Sequence, residues 1–216
     1  MNGLGGSWRS VGGWLLAGLL LSVSVPAQEP TAGEIDALAQ RALEAFQTPG
    51  IAIGVVKEGE LIYAKGHGVR EIGRPEPVDA ETIFQIASLT KAFTAASLGI
   101  LVDEGTLDWD DPVIDYLPEF RMYDPWVTRE FTIRDLLTHR SGLGLGAGDL
   151  LFWPQARSTV DDVIKAMRFL EPETSFRTAY AYDNLLYVIA GEVVAEASGV
   201  AWEDFVEGRI MQPLGM

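Results

Sequence analysis

The chain has 216 residues, 48% of them hydrophobic and 10% aromatic, which is enough for a packed core. It carries 31 acidic and 16 basic residues, so its surface repels phosphate backbones and nucleic acid is not expected as a partner. Cysteine is absent, which excludes disulfides, thiolate metal sites and a lipoprotein-type anchor. With two histidines and no H-E-x-x-H pattern, the sequence predicts neither a metal site nor a cofactor.

The N-terminal segment, residues 1–27, has the pattern of a secretory signal peptide. Arg9 supplies a positive charge, residues 11–25 form an apolar run, and small residues precede Gln28, where cleavage is expected. The run is shorter than the ~20 residues that span a bilayer. We therefore predict a secreted or periplasmic protein, attached to the membrane only if this segment remains as an uncleaved anchor. The mature domain is then residues 28–216.

A helix and a β-hairpin are predicted next. Residues 34–47 carry apolar side chains at spacings of three and four, and Pro49-Gly50 ends this helix. Two short runs rich in branched side chains, residues 51–56 and 61–68, flank a turn-like stretch at 57–60. This pattern indicates two antiparallel strands.

The rest of the chain is predicted to be mostly helical. The strongest helix covers residues 88–104 and ends at Gly105, and residues 142–148 form a loop with four glycines. The apolar stripe expected on this helix is Leu89, Ala92, Phe93, Ala96, Ile100 and Leu101. Further helices are predicted at 132–138, 159–170, 185–197 and 201–210.

An S-x-x-K sequence, Ser88 to Lys91, opens the strongest helix. Residues three apart share a helical face, so the amine can reach the hydroxyl. A free serine hydroxyl is a poor nucleophile, and a lysine that burial keeps neutral can accept its proton. The helix start also favours negative charge near Ser88. The alternative is structural: a capping serine followed by a surface lysine.

A second candidate motif is Y-x-N, Tyr182-Asp183-Asn184, just before a strong helix. A phenol near a lysine ammonium loses its proton more easily and can shuttle it. An asparagine amide can hold a substrate carbonyl or the lysine. The alternative is that Asp183 or Asn184 caps the helix and Tyr182 is a core aromatic.

Together, in this order, the two motifs resemble those of the serine β-lactamase and penicillin-binding-protein superfamily, most closely its class C β-lactamase-related branch. Residues 105–120, 131–143 and 210–216 are similar to other family segments, and the likeness extends over residues 35–216. The resemblance implies an α/β (α+β) fold of the β-lactamase/transpeptidase type. In this fold an antiparallel sheet is flanked by helices and accompanied by a helical subdomain.

The same resemblance implies a role for each site residue. Ser88 is the acylated nucleophile, Lys91 its proton acceptor, Tyr182 the group that protonates the leaving group, and Asn184 a contact to substrate and lysine. The implied activity is that of a serine hydrolase that needs no cofactor. Its substrate is a small molecule or peptidoglycan-like: an ester, a D-amino-acid peptide or a β-lactam.

Two departures from the family pattern affect this interpretation. The third family motif, a Lys- or His-containing triplet ending in Gly on a late strand, is not found after Tyr182. Lys57-Glu58-Gly59 fits K-x-G but lies in a predicted turn before the nucleophile. We therefore expect the late strands and the second oxyanion N–H to be missing, and the domain to be incomplete at its C-terminal end. Asp183 stands where the family usually has a small polar residue, and a carboxylate beside Lys91 would raise its pKa.

These departures leave two alternatives to the enzyme: a non-catalytic, penicillin-binding-like sensor or scaffold, and an inactive fragment.

His139 also suggests a Ser-His-Asp triad, but the matching histidine of the family lies in a structural turn, and a packing role is favoured. No G-x-S-x-G elbow is present, which argues against an α/β-hydrolase. Trp153, just beyond the glycine loop, is a candidate for the pocket wall.

Overall fold

The computed structural model describes residues 29–154 and 158–216, so the predicted signal peptide lies outside the described residues. The described residues fall into two compact units, one that ends at Phe84 and one that begins at Gln85. Within the described ranges, no single helix has the length and apolarity to cross a membrane. The segments Leu185–Ser198 and Trp202–Leu214 reach that length and apolarity only when they are counted together, and they are bent by 77° at the break between them.

The first unit contains the predicted helix and hairpin. Helix α1, Ala32–Phe46, begins with a capping box in which Thr31 and Glu34 each satisfy the other's backbone N–H. Strands β1, Gly50–Lys57, and β2, Glu60–Gly68, pair antiparallel. All three predicted elements are confirmed, with ends that differ by at most two residues.

The K-x-G triplet in this unit is the hairpin turn. Glu58 and Gly59 both have positive φ, 51° and 84°, as a tight two-residue turn requires. The side chain of Lys57 pairs with Glu29 on the surface. Interpreting the triplet as a turn, and not as a site motif, is therefore correct.

The second unit is built from helices around one apolar core. Its long helices are α2, Thr90–Asp103, and α7, Leu185–Ser198. The shorter helices are α3, Val113–Tyr116; α4, Pro125–Glu130; α5, Ile133–Leu137; α6, Val160–Ala166; α8, Trp202–Val206; and α9, Gln212–Leu214. Helix α7 lies at the centre, with wholly buried Leu185, Leu186, Ile189, Ala190, Val193 and Val194.

The buried face of α2 differs from the predicted stripe. Leu89 is 70% exposed, and the buried residues are Thr94, Ser97, Leu98 and Leu101. Ser97 can be buried because its hydroxyl donates to the Phe93 carbonyl at 2.8 Å. The prediction was right for Leu101 but missed Ser97, because it treated every polar side chain as solvent-facing; a hydroxyl that bonds within its own helix packs like a small apolar group.

An ion pair between a buried carboxylate and a partly exposed arginine supports the chain before the Y-x-N motif. Asp135, in α5, is only 3% exposed and accepts hydrogen bonds from the Arg177 guanidinium at 2.9 and 2.5 Å. Arg177 also donates to the carbonyl of Glu130 at 3.0 Å. A bidentate pair of this kind fixes direction as well as distance. It anchors the segment that leads to Tyr182 against α5.

Candidate active site

The S-x-x-K residues lie at the start of α2. Ser88 is in a 3₁₀ turn, Ala87–Leu89, and Lys91 is in the first turn of the α-helix that follows. The Lys91 Nζ donates to the Ser88 Oγ at 3.2 Å. Because the α-helix begins two residues later than predicted, Ser88 projects from the tighter turn, exposed to solvent.

The residue before Ser88 has an unusual backbone. Ala87 has φ of 45°, in the left-handed region. For a residue with a Cβ this conformation costs about 1–2 kcal/mol. The strained turn directs the chain into α2 with the Ser88 hydroxyl facing Lys91.

The phenol of Tyr182 reaches the same hydroxyl from a distant part of the chain. Its OH donates to the Ser88 Oγ at 2.6 Å. The Lys91 Nζ lies 4.7 Å from the centroid of the Tyr182 ring. Burial acts to raise the pKa of Tyr182, but hydrogen bonding with Lys91 and Ser88 and the lysine charge outweigh it and hold that pKa below its ordinary value. The phenol is therefore suited to exchange protons.

The amide of Asn184 completes the group. Its Oδ1 accepts from the Lys91 Nζ at 2.7 Å. Asn184 directly precedes α7, but its side chain makes no capping bond to that helix. The structure thus brings together all four residues predicted from the two motifs, Ser88, Lys91, Tyr182 and Asn184, and rejects the view of Asn184 as a helix cap.

Asp183 faces away from this group. It is fully buried, and its Oδ1 accepts from the Leu186 N–H at 3.1 Å, so it is Asp183 that caps α7. No ion pair joins it to Lys91 among the described residues. Burial raises its pKa to about 6, and its Oδ2 has no hydrogen-bond partner in the part of the chain that the structure describes. Asp183 faces the opposite side from its neighbours Tyr182 and Asn184, so the expected close pairing with Lys91 is not seen among the described residues; the lysine charge acts only as a minor cause, which lowers the pKa of Asp183.

His139 has a packing role. Its Nδ1 accepts from the Asp183 N–H at 3.1 Å. Its pKa is lowered by burial and, secondarily, by the charge of Lys91, which favours the neutral ring. Three tyrosine rings surround it, with centroids 4.6, 5.3 and 5.6 Å away: Tyr182, Tyr187 and Tyr180. The ring contacts and positions the Y-x-N segment, which agrees with the packing role that the sequence analysis favours.

A further carboxylate, which the sequence analysis missed, touches the site. Asp149 accepts from the Asn184 Nδ2 with both oxygens, each at 3.1 Å. It follows Gly148, whose φ of 77° and lack of a Cβ let the loop approach Leu185; an added Cβ would lie 2.3 Å from the Leu185 Cδ1. The available signal was an acidic residue directly after a run of glycines, at the point where such a loop ends.

The site opens into a cavity of about 910 Å³. Its floor includes Ser88, Lys91 and Asn184, and Trp153, which is 66% exposed, lies in its wall as predicted. Other apolar lining comes from Phe152, Val188 and Trp202. Such a mostly apolar recess with a few converging polar groups is typical of a small-molecule site. Among the described residues, no cluster of His, Asp or Glu could hold a metal ion.

Comparison with known proteins places this chain in a family. The Beta-lactamase family model matches residues 35–216. An unguisins hydrolase of Aspergillus violaceofuscus is 33% identical over 195 residues, covering 87% of this chain and 34% of the relative. The octameric penicillin-binding protein homologue from Pyrococcus abyssi matches in structure with a TM-score of 0.76 and 31% identity, covering 87% of this chain and 44% of that one. The D-amino acid amidase from Ochrobactrum anthropi SV3 gives 0.69 and 28%, covering 84% and 50%.

Lys91 of the S-x-x-K sequence and Tyr182 of the Y-x-N sequence both contact the Ser88 hydroxyl, and Asn184 contacts Lys91. An S-x-x-K sequence with a serine nucleophile is a motif of serine β-lactamases and penicillin-binding proteins. The chain belongs to the Beta-lactamase family. This confirms the resemblance and the β-lactamase/transpeptidase-like α/β fold. The chain spans between a third and a half of the length of these three relatives.

Proposed function

We propose that the protein is a serine hydrolase that forms an acyl-enzyme on Ser88. The observation that carries the proposal is the convergence on the Ser88 hydroxyl: Lys91 approaches it to 3.2 Å, and Tyr182, which lies 94 residues from Ser88 along the chain, approaches it to 2.6 Å. A capping serine with a surface lysine would not gather a phenol and an amide as well. Relatives named as hydrolases and as an amidase support the reaction class.

Acylation begins when the Ser88 Oγ attacks the carbonyl carbon of the substrate. The hydroxyl proton passes to Lys91 or Tyr182, whichever is unprotonated, and the carbonyl π electrons move to the oxygen. When the tetrahedral intermediate collapses, Tyr182 donates a proton to the departing group and the acyl chain remains on Ser88. Asn184 holds the Lys91 Nζ at 2.7 Å and keeps it beside the hydroxyl.

Deacylation follows the same path with water. Water gives a proton to the Tyr182–Lys91 pair and its oxygen attacks the ester carbon; the Ser88 Oγ leaves and recovers a proton. The products are the free acid and the regenerated hydroxyl. No cofactor enters this cycle.

The proposed substrates are carbonyl compounds whose acyl carbon can approach an exposed serine: an ester, a D-amino-acid peptide or amide, or a β-lactam. The cavity of about 910 Å³ holds a small molecule or the end of a peptide. A penicillin-binding homologue and a D-amino acid amidase among the relatives support the two amide classes. Parallel turnover assays with one chromogenic member of each class would rank them.

The test is active-site labelling of the whole protein with a fluorophosphonate, followed by peptide mapping. We expect one label, on Ser88, abolished by Ser88→Ala and retained in the exposed control Ser175→Ala. A label elsewhere, or unchanged labelling of Ser88→Ala, contradicts the proposal. Steady turnover of an ester then separates a hydrolase from a sensor, which would stop at a stable acyl adduct.

Export is a second part of the proposal, motivated by residues 1–27. We expect the mature protein, recovered from outside the cytoplasm, to begin at Gln28. N-terminal sequencing of the purified native protein checks this, and a sequence starting within residues 1–10 contradicts cleavage.

A further inference from the structure

The glycine-rich loop is fixed to the Y-x-N segment at two points. The Gly146 N–H donates to the Tyr182 carbonyl at 2.9 Å. Three residues further on, both oxygens of Asp149 accept from the Asn184 Nδ2 at 3.1 Å. Asp149 lies in the wall of the cavity that contains Ser88, but none of its hydrogen bonds goes directly to Ser88 or Lys91 among the described residues.

The second attachment selects one orientation of the Asn184 amide. An ionised carboxylate only accepts hydrogen bonds, so it holds the Nδ2 end and cannot hold the Oδ1 end. The Oδ1 is therefore the atom presented to the Lys91 Nζ, at 2.7 Å. With a protonated lysine this orientation is favourable in any case, because an ammonium donates and never accepts.

The orientation matters most when Lys91 is neutral, the state in which it accepts the Ser88 proton. A neutral amine has a lone pair that can accept a hydrogen bond. If the Asn184 amide rotated by half a turn, its Nδ2 would donate into that lone pair and block the proton transfer. Nothing in Lys91 itself prevents this rotation, whereas a carboxylate behind the amide does.

We propose that Asp149 is a positioning residue: by holding the Nδ2 of Asn184 it keeps the Lys91 lone pair free for the Ser88 proton. This deepens the proposed function and rests on it. The negative charge of Asp149 has a separate electrostatic effect. It acts to raise the pKa of Tyr182, so its removal moves that pKa down.

The test measures the rate of Ser88 labelling against pH in the whole protein for Asp149→Ala and Asp149→Asn. We expect Asp149→Ala to label about 10- to 100-fold more slowly, the range of one hydrogen bond to a charged group. We expect the labelling rate of Asp149→Asn to lie between those of the parent and Asp149→Ala, since its amide carbonyl can still accept a hydrogen bond from Asn184. In both, the acidic limb of the profile moves to lower pH because the charge is gone. The control, Asp161→Asn, removes a surface carboxylate that pairs with Lys165 at 2.6 Å, and leaves rate and profile unchanged.

A double-mutant cycle with Asn184→Ala identifies the path of the effect. If Asp149 acts through Asn184, then Asp149→Ala has no further effect on the plateau rate, where the rate no longer depends on pH, in the Asn184→Ala background. Additive losses overturn the proposal, as does parental labelling of Asp149→Ala. Equal rate losses in Asp149→Ala and Asp149→Asn, with a matching fall in the thermal midpoint of both, also overturn it, because a purely structural role would give that result. If the parent protein carries no label on Ser88, the proposed function itself fails, which is a different result from all of these.

Discussion

The two segments that meet at the Ser88 hydroxyl are supported very differently. On one side Ser88 and its neighbour Leu89 are exposed, and the turn that carries them has no capping side chain. On the other side Asp183 is fully buried and the segment around it bonds to His139 and to the glycine loop. The nucleophilic hydroxyl lies on the sparsely supported side, and the phenol that positions and protonates is held on the heavily supported side. Substitutions on the two sides should therefore separate chemistry from stability.

The largest effect is expected on the chemical side. Lys91→Ala removes the group that contacts Ser88 at 3.2 Å, and we expect Ser88 labelling to slow by about 10²–10⁴-fold, as is usual for a general acid–base group. Lys91 is not part of the buried core, so the free energy of unfolding should change little. Labelling kinetics measure the first effect, and urea denaturation measures the free energy of unfolding. A parental labelling rate would show that Lys91 is not the proton acceptor.

The next effect is expected on the supported side. His139→Ala removes a buried ring and leaves the Asp183 N–H without its acceptor, which we expect to lower the free energy of unfolding by about 2–4 kcal/mol. His139→Asn should lose less, because asparagine tolerates the φ of 56° and can still accept a bond. Urea denaturation compares the two variants. If His139→Asn abolished labelling as completely as Lys91→Ala, the histidine would be a base and not a packing residue.

A smaller effect is expected in the loop that contacts the supported side. In Gly148→Ala the new Cβ meets the buried Leu185 at 2.3 Å and the backbone has φ of 77°, so about 2–3 kcal/mol of stability should be lost. Gly199→Ala is the matched control: its φ is 76°, but nothing lies within 4 Å of the added Cβ. It should lose only the ~1 kcal/mol of backbone strain and label normally. Equal losses in the two variants would show that the close approach of the loop is unimportant.

The smallest effect is expected from Asp183→Asn, which should stabilise the protein by raising its free energy of unfolding. Burial raises the pKa of Asp183 to about 6, so the folded state disfavours the charged form. Stability is therefore lost as pH rises from about 4 to about 6, and it stays lower above that range. Replacing the carboxylate should raise the free energy of unfolding at pH 8 by about 1–2 kcal/mol, with no gain below pH 4.

The control for this substitution is Asp204→Asn, at an exposed position, which should change stability by less than about 0.5 kcal/mol at either pH. Denaturation curves at pH 4 and pH 8 are sufficient. A loss of stability at pH 8 in Asp183→Asn would show that the ionised form is the better helix cap.

Much of the fold and of the candidate site could be predicted from the sequence. The helices α1, α2 and α7 and the hairpin follow from local periodicity, and Ser88, Lys91, Tyr182 and Asn184 follow from two short motifs. The contact between Asp149 and Asn184, 35 residues apart, could not be predicted, because it depends on the path of a loop. That path is set by the approach of Gly148 to Leu185 and by backbone bonds that no local pattern encodes. Which residue of the Y-x-N motif faces Lys91 is likewise decided by the turn before α7.

The left-handed Ala87 has a consequence for how this protein can be improved. Ala87→Gly would relieve the strain in the folded chain but would also give the unfolded chain more freedom, and the two changes are of similar size, about 1 kcal/mol each. The free energy of unfolding should therefore change little, and a selection for thermal stability alone would not distinguish alanine from glycine at this position. A substitution there would not raise stability and could change the orientation of the Ser88 hydroxyl. The turn before Ser88 is a position to leave untouched, and stabilising changes belong elsewhere in the chain.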